Sequence, residues 1–445
     1  MKMQKLEKII EVAMAAGADQ ADIVVDSGES INVKVESGEV SSYEVSGTQV
    51  IGLRVIKDGK IGSSYCETAD DETIKTLVHQ ALDNAHYSKV EELELIEVKR
   101  SEVLDGTRDF KYDDSRADAK DLIEMAIKLE SELMKKDSNL KTPPYNGVGE
   151  YIDERLYLNH LGTKCVEKSK AYSCYTAALL DTGDKQSMHV HQSLTRKFED
   201  LDPTICIEQA FLHAKGLIDG SALKTGHYDI VFSTDKLAQF FSVFSSLFSA
   251  KAAVNDMNPW KEKLNEVVAS KDLKIIDNPM LENGFAYSLF DGEGNLMSET
   301  TLIENGVLKN FYQNSATAKK LGLVNTFNAT RGPKSSLGVG GTNKIISPVA
   351  ANDANFEEGT YFEIVSDQGM HSGADHISGD FSFAASGYLV VNGQRVQAVK
   401  GVTVSGNFFN ALKNISHIGH ALESNTSATF FSPKIRFDAL SVAGE

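Results

Sequence analysis

The chain has 445 residues, enough for two or three domains of ordinary size and for a core that needs no disulfide staples. Lys plus Arg number 45 and Asp plus Glu 63, a formal net charge of −18. That charge disfavours non-specific binding to nucleic acid or to an anionic membrane, and at 41% hydrophobic and 24% charged residues the composition is ordinary for a globular protein.

At the N-terminus Leu6, Ile9, Ile10 and Ala13 recur at helical spacing. Glu7, Lys8 and Glu11 break up the apolar residues, so the segment does not read as a secretory signal. Gly17 stops the helix. Alternation follows: Ile31, Val33 and Val35 share one face, and Val50, Gly52 and Arg54 share a phase. Ser-Gly-Glu and Lys-Asp-Gly mark turns between them, which predicts a meander of antiparallel strands as far as Cys66. Ile74, Leu77, Ala81, Leu82 and Ala85 predict a helix over 70–86, started at Ala69-Asp70-Asp71. A second strong helix is predicted over 118–136. Two prolines and two glycines in LKTPPYNGVG (140–149) read as a linker or long turn. Short strands resume over 150–195, and DPTICIEQAFLHAKGLID reads as a helix with Gly220 near its end.

The second half opens on the most apolar window of the chain. Leu237, Phe240, Phe241, Phe244, Phe248 and Ala252 predict one helix around 235–254, packed against a sheet. Gln239, four serines and Lys251 keep that window short of a membrane span. Beyond Leu273 the pattern is strands and glycine-bearing turns, with short helices near 316–321 and 407–422. The expected fold class is α+β: an N-terminal α/β domain over 1–225, with antiparallel strands flanked by helices, and a β-rich C-terminal domain over 226–445. A soluble, cytoplasmic protein is the expectation.

Single motifs are uninformative. There is no phosphate loop of the G-x-x-x-x-G-K-[ST] kind and no G-x-S-x-G elbow. LGVGGT (337–342) lies between Pro333 and Pro348 with no helical pattern after it, and reads as a flexible turn. Cys66, Cys165, Cys174 and Cys206 show no Cys-x-x-Cys spacing and read as reduced core residues. H-E-x-x-H is absent. His371 and His376 flank a glycine turn. His417 and His420 are three apart on a predicted helix, and His189 and His191 share a strand face. Each pair could chelate a metal, but a turn, a solvated helix end and a strand face account for them without one. Adjacent carboxylates such as Asp153 and Glu154 read as solvated faces.

The order of segments says more. AAGADQADIVV, SGEVSSYEVSGTQVIGLRVIKDGKIGSSY and ALDNAHYS come first. IIDNP, LFDGEGNLMSETTLIENGVLKNFYQNSATAKKLG, SGDFSFAASGYLVVNGQ and VKGVTVSGNFFNALKNISHIG follow. Over nearly its whole length the chain resembles the TldD/TldE (PmbA) family. That resemblance implies a cytosolic metallopeptidase system. In it one kind of subunit, TldD-like, holds zinc with an H-E-x-x-x-H helix and a downstream Cys. The other, TldE or PmbA-like, lacks them and walls the peptidase cavity. The corresponding helix here, LAQFFSVFSSLFSAKAAV (237–254), has neither His nor Glu, and no Cys follows Cys206. Without ligands there is no polarised water, and without Glu no base for it.

The resemblance therefore implies a TldE/PmbA-like subunit with no cofactor of its own, the zinc being expected in a TldD-like partner. An unfolded peptide is the implied substrate. Segments 371–388 and 399–408 are the expected lining, with His371, Ser372, Asp380 and Phe381 as substrate-touching residues. The competing reading of these four is turn and core: Asp380 follows Gly379, and Phe381 and Phe383 alternate into a core. Two other functions are kept. One is a homodimeric peptide-binding or modulator protein, after the family's "modulator of DNA gyrase" label, acting without direct DNA contact. The other is a peptidase with a non-standard metal site built from His371 and His376 or from His417 and His420.

Overall fold

The computed structural model describes residues 3–107, 112, 114–349 and 356–445. The strands of the first half are β1 (Gln20–Glu36), β2 (Glu39–Lys57), β3 (Lys60–Cys66), β4 (Leu104–Asp105), β5 (Leu140–Lys141), β6 (Asn146–Asn159), β7 (Lys164–Asp181) and β8 (Gln186–Thr195). All eight form one sheet with the path β3-β2-β1-β6-β7-β4, in which β5 and β8 also pair with β7. The helices are α1 (Met3–Ala15), α2 (Asp71–Tyr87), α3 (Ala119–Met134) and α4 (Pro203–Leu217). Their starts follow from caps. The Asp70 carboxylate accepts from the Thr73 amide, Asp118 from Lys120, and Asp202 from Thr204 and Ile205, with Pro203 opening α4.

Strand alternation gives the sheet two different faces. On one face Ile23, Val25, Leu53 and Leu158 pack under α1 and α2. On the same face Val33, Val35, Val148 and Tyr172 pack under α3 and α4. Val24, Tyr157 and Cys165 lie on the other face and bury Leu289 and Phe290 from the second half. Segment 140–149 is less of a linker than expected. Gly147 and Gly149 sit inside β6, paired with both β1 and β7. The glycines are there for space: a Cβ on Gly147 would lie 2.7 Å from the Tyr175 hydroxyl and from the Val33 carbonyl.

The strands of the second half are β9 (Gly226–Phe232), β10 (Ile275–Asp277), β11 (Thr300–Glu304), β12 (Val307–Leu308), β13 (Ala329–Thr330), β14 (Gly338–Val339) and β15 (Lys344–Ile346). They continue as β16 (Thr360–Gln368), β17 (Asp380–Val391), β18 (Gln394–Asn407), β19 (Ile415–Ile418), β20 (Glu423–Ser424), β21 (Phe430–Ser432) and β22 (Ile435–Ala443). One sheet runs β18-β17-β16-β9-β22-β19, a second β12-β11-β10-β15-β21-β20, and β13 pairs with β14.

Their shared core is aromatic. Phe240 packs edge-on against Phe381 and Phe408, and Phe244 stacks on Phe408 at 4.2 Å between centroids. The single tryptophan of the chain, Trp260, is buried in the same core with its ring edge-on to Phe248. The helix expected around 235–254 is instead three pieces: α5 (Thr234–Val243), a 3₁₀ turn (Ser245–Phe248) and α6 (Ala250–Val254). The apolar spacing still holds, because Leu237, Phe240, Phe241, Phe244 and Phe248 are all buried. The expected helix over 316–321 is present as α7 (Ser315–Leu321). The one near 407–422 shortens to α8 (Phe408–Lys413), and His417 lies on β19 opposite Arg436. A strand, not a helix face, therefore carries His417.

The two halves are clamped by buried charge. Asp22 accepts from Arg54 at 3.1 and 2.5 Å, from Arg331 of the second half at 2.5 Å, and from Tyr157 at 3.3 Å. Burial alone would raise the Asp22 carboxyl, but the two guanidiniums outweigh it and hold it below its ordinary value. Beside the clamp, Gly52 admits the backbone of Pro333 where any Cβ would collide with it.

Candidate functional site

A cavity of about 810 Å³ lies over the broken helix. The break keeps helical phase, so the aromatic side faces the core and Gln239, Ser242, Ser245, Ser246 and Ser249 face the cavity. Tyr312, Gly340, Gly341, Thr342 and Lys344 form a second wall, and residues 425–430 a third. Ser249 also caps α6 by accepting from the Ala252 amide at 3.1 Å.

Lys344 is the charged centre of this wall, with Asp277 buried behind it. They are cross-strand partners of β10 and β15, so both side chains leave the same face of the sheet. The Asp277 carboxylate turns away to accept from the Thr342 amide at 2.6 Å, the Thr342 hydroxyl at 2.9 Å and Tyr312 at 3.4 Å. Gly341 is required there, since a Cβ would lie 2.8 Å from the Asp277 carboxylate. The Lys344 ammonium is left with no hydrogen bond or ion pair among the described residues. It lies 5.2 Å from the Phe248 ring centroid and 5.9 Å from that of Phe241. Burial pulls this ammonium down to about 8, against the pull of Asp277. Burial likewise pushes the Asp277 carboxyl up to about 6, against its bonds to Thr342.

These groups do not match a zinc ion. Zinc takes thiolate, imidazole and carboxylate, whereas this wall presents hydroxyls and an ammonium that repels cations. Its one lining carboxylate, Asp235, accepts from the amide and hydroxyl of Thr426, both at 2.8 Å. Among the described residues no three His, Cys, Asp or Glu side chains are grouped so as to hold a metal ion. A neighbouring cavity of about 440 Å³ shares Asp235 and Lys236 and carries His189, His191 and His213. His189 and His213 lie with ring centroids 4.6 Å apart. Burial and His213 pull His189 down to about 3, which favours neutral imidazoles.

The residues expected from sequence lie apart from the Lys344 wall. His371 and Ser372 are exposed in the turn after β16, where the Ser372 hydroxyl donates to the Gly369 carbonyl at 3.2 Å. Asp380 is exposed at the start of β17 and accepts from Asn407 at 2.8 Å. Phe381 is buried beneath α5, its ring 5.0 Å from that of Phe240. Lys344 and Asp277 escaped the sequence reading because each is a lone charge in a three-residue strand. The one available signal was a charged residue beside Ile-Ile in both IID and KII.

The architecture is that of a known peptidase family. Residues 21–85 match the model of PmbA/TldA metallopeptidase domain 1, and residues 225–444 that of the PmbA/TldA metallopeptidase C-terminal domain. The chain belongs to the PmbA/TldD family. Metalloprotease PmbA of Escherichia coli O157:H7 is 22% identical over 95% of this chain and 93% of its own length. A Thermotoga maritima protein described as a candidate modulator of a DNA gyrase is 25% identical, with a TM-score of 0.84 over 100% of both chains. TldE of Thermococcus kodakarensis shares the fold at a TM-score of 0.86 and 21% identity, over 99% of this chain and 100% of its own.

Proposed function

We propose that this chain is a TldE/PmbA-like subunit of a TldD/TldE-type peptidase system, without zinc of its own, and that it completes the chamber in which a TldD-like partner cleaves unfolded peptides. The observation that carries the reading is the cavity wall over α5 and α6. By resemblance, that helix bears H-E-x-x-x-H in the zinc-holding subunit. Here it presents serines beside the Lys344 ammonium. The cavity has room for several residues of extended peptide, and the exposed turn at His371, Ser372 and Asp380, apart from the cavity wall, offers further polar side chains to a longer one. Phe381 is buried beneath that turn, against Phe240. The subunit acts in the cytoplasm and self-associates as a homodimer when its partner is absent. Among the described residues no helix is long and apolar enough to cross a membrane.

The test is to purify the chain without chelator or histidine tag, alone and co-expressed with a TldD-like subunit. Zinc per chain and cleavage of an unfolded peptide are then measured. The reading expects zinc and cleavage only in the co-purified complex. A full equivalent of zinc in the chain alone, with cleavage, would overturn it and return attention to the histidine pairs. A second reading, a modulator without peptidase work, draws on the name of the Thermotoga relative. The charge of −18 then requires it to act without gripping DNA. A lone homodimer that ignores the TldD-like subunit would favour it.

A further inference from the structure

We infer that Lys344 is the anchor of a carboxylate-binding subsite, which takes the free C-terminal carboxylate of a peptide lying in the cavity. This deepens the peptide-chamber reading and rests on it. Lys344 is partly buried, and an ammonium drawn out of water is costly unless it is paired. Its cross-strand carboxylate, Asp277, is engaged by Thr342 and Tyr312, and Asp235 across the cavity by Thr426. The ammonium is backed by the faces of Phe241 and Phe248, which favour a cation but supply no hydrogen-bond acceptor. Its three donors are therefore open to the cavity. Ser246, which lines the same cavity, has a buried hydroxyl without a hydrogen-bond partner. The other lining cation, Lys236, already pairs with Asp367 at 2.8 Å.

A cation without a partner on the wall of a polar cavity specifies an anionic ligand. The cavity is far larger than a free anion needs. That size favours a carboxylate at the end of a chain over inorganic phosphate.

The test uses the full chain and an N-acetylated alanine tetrapeptide, prepared as free acid and as C-terminal amide. Binding is measured by calorimetry, with acetate and inorganic phosphate as competitors. The free acid is expected to bind about ten-fold tighter than the amide, the scale of one charge-assisted contact. Lys344→Met should abolish that preference and Lys344→Arg should keep most of it. Lys344→Met should leave the melting temperature at pH 7 near that of the wild type, because Lys344 is only partly buried and makes no hydrogen bond or ion pair among the described residues. Loss of a structural lysine would lower it.

Affinity for the free acid should fall as pH rises through about 8, where Lys344 loses its proton. Asp277, Tyr312, Asp235 and Lys236 are the other titratable groups facing it, and burial raises Asp277 to about 6. Equal affinity for acid and amide, no binding of either, or a preference that survives Lys344→Met would overturn the inference. Phosphate competing at lower concentration than acetate, with no gain from the peptide, would overturn the peptide-end assignment in favour of a free anion. None of these outcomes depends on a TldD-like subunit, so the subsite and the partnership can fail separately.

Discussion

Glu293 would stabilise the fold by losing its charge. It is buried, with one carboxylate oxygen accepting from the amide and hydroxyl of Ser315 and the other without any partner. Burial, with Asp291 beside it, pushes its carboxyl up to about 7, and Asp291 itself is pushed to about 6 by burial. An acid raised on folding holds more protons in the native than in the unfolded state. Stability is therefore lost as pH rises from about 4.5, the unfolded value, through about 7. Glu293→Gln should raise stability at pH 8 by on the order of 3 kcal/mol, leave it little changed at pH 4, and keep the Ser315 bonds. Urea titrations at both pH values check it, and an equal shift at the two would sink the titration account. Nothing in GEGN announces this residue, because burial of a loop carboxylate depends on contacts distant in sequence. The same holds for Lys344 and Asp277, whose pairing is a register between two three-residue strands.

At the scale of elements, the sequence predicts well wherever period and caps agree. Helices α1 to α4 fall where their spacing places them, with Asp70, Asp118 and Asp202 as starts. The β1–β2–β3 meander follows from alternation punctuated by glycine turns. The misreadings share a cause. Proline and glycine in 140–149 imitate a linker, yet Gly147 and Gly149 are strand residues chosen for close approach. In 407–422 a helical start was extended into β19, since a periodic pattern does not show where an edge strand will capture the chain. Gly147→Ala tests the first point. The added methyl meets the Tyr175 hydroxyl and the Val33 carbonyl, and overpacking of this kind costs about 1–3 kcal/mol. A linker glycine would cost almost nothing. The melting temperature of the variant distinguishes the two.

Over the whole molecule, the halves meet through charge and close backbone contact. Asp22→Asn would leave Arg54 and Arg331 buried together without their shared carboxylate. Breaking such a site costs about 3–5 kcal/mol, seen as a drop in the urea midpoint at pH 7. Because Asp22 titrates below its ordinary range, its contribution is fully present above about pH 4 and fades only as pH falls through its lowered native value. Wild type and variant should therefore converge in acid. An Asn variant as stable as wild type at pH 7 would show that the clamp is ornamental.

The aromatic core of the second half also gives the molecule a built-in optical label. Trp260 is the only indole in the chain, and it is enclosed by Phe248 and Phe409 in the second half, with no counterpart in the first. Its emission therefore reports one half of the protein, while far-ultraviolet dichroism reports both. Superimposed denaturation curves from the two signals would mean that the clamp makes the halves melt as one unit. Separated curves would resolve the order in which they let go.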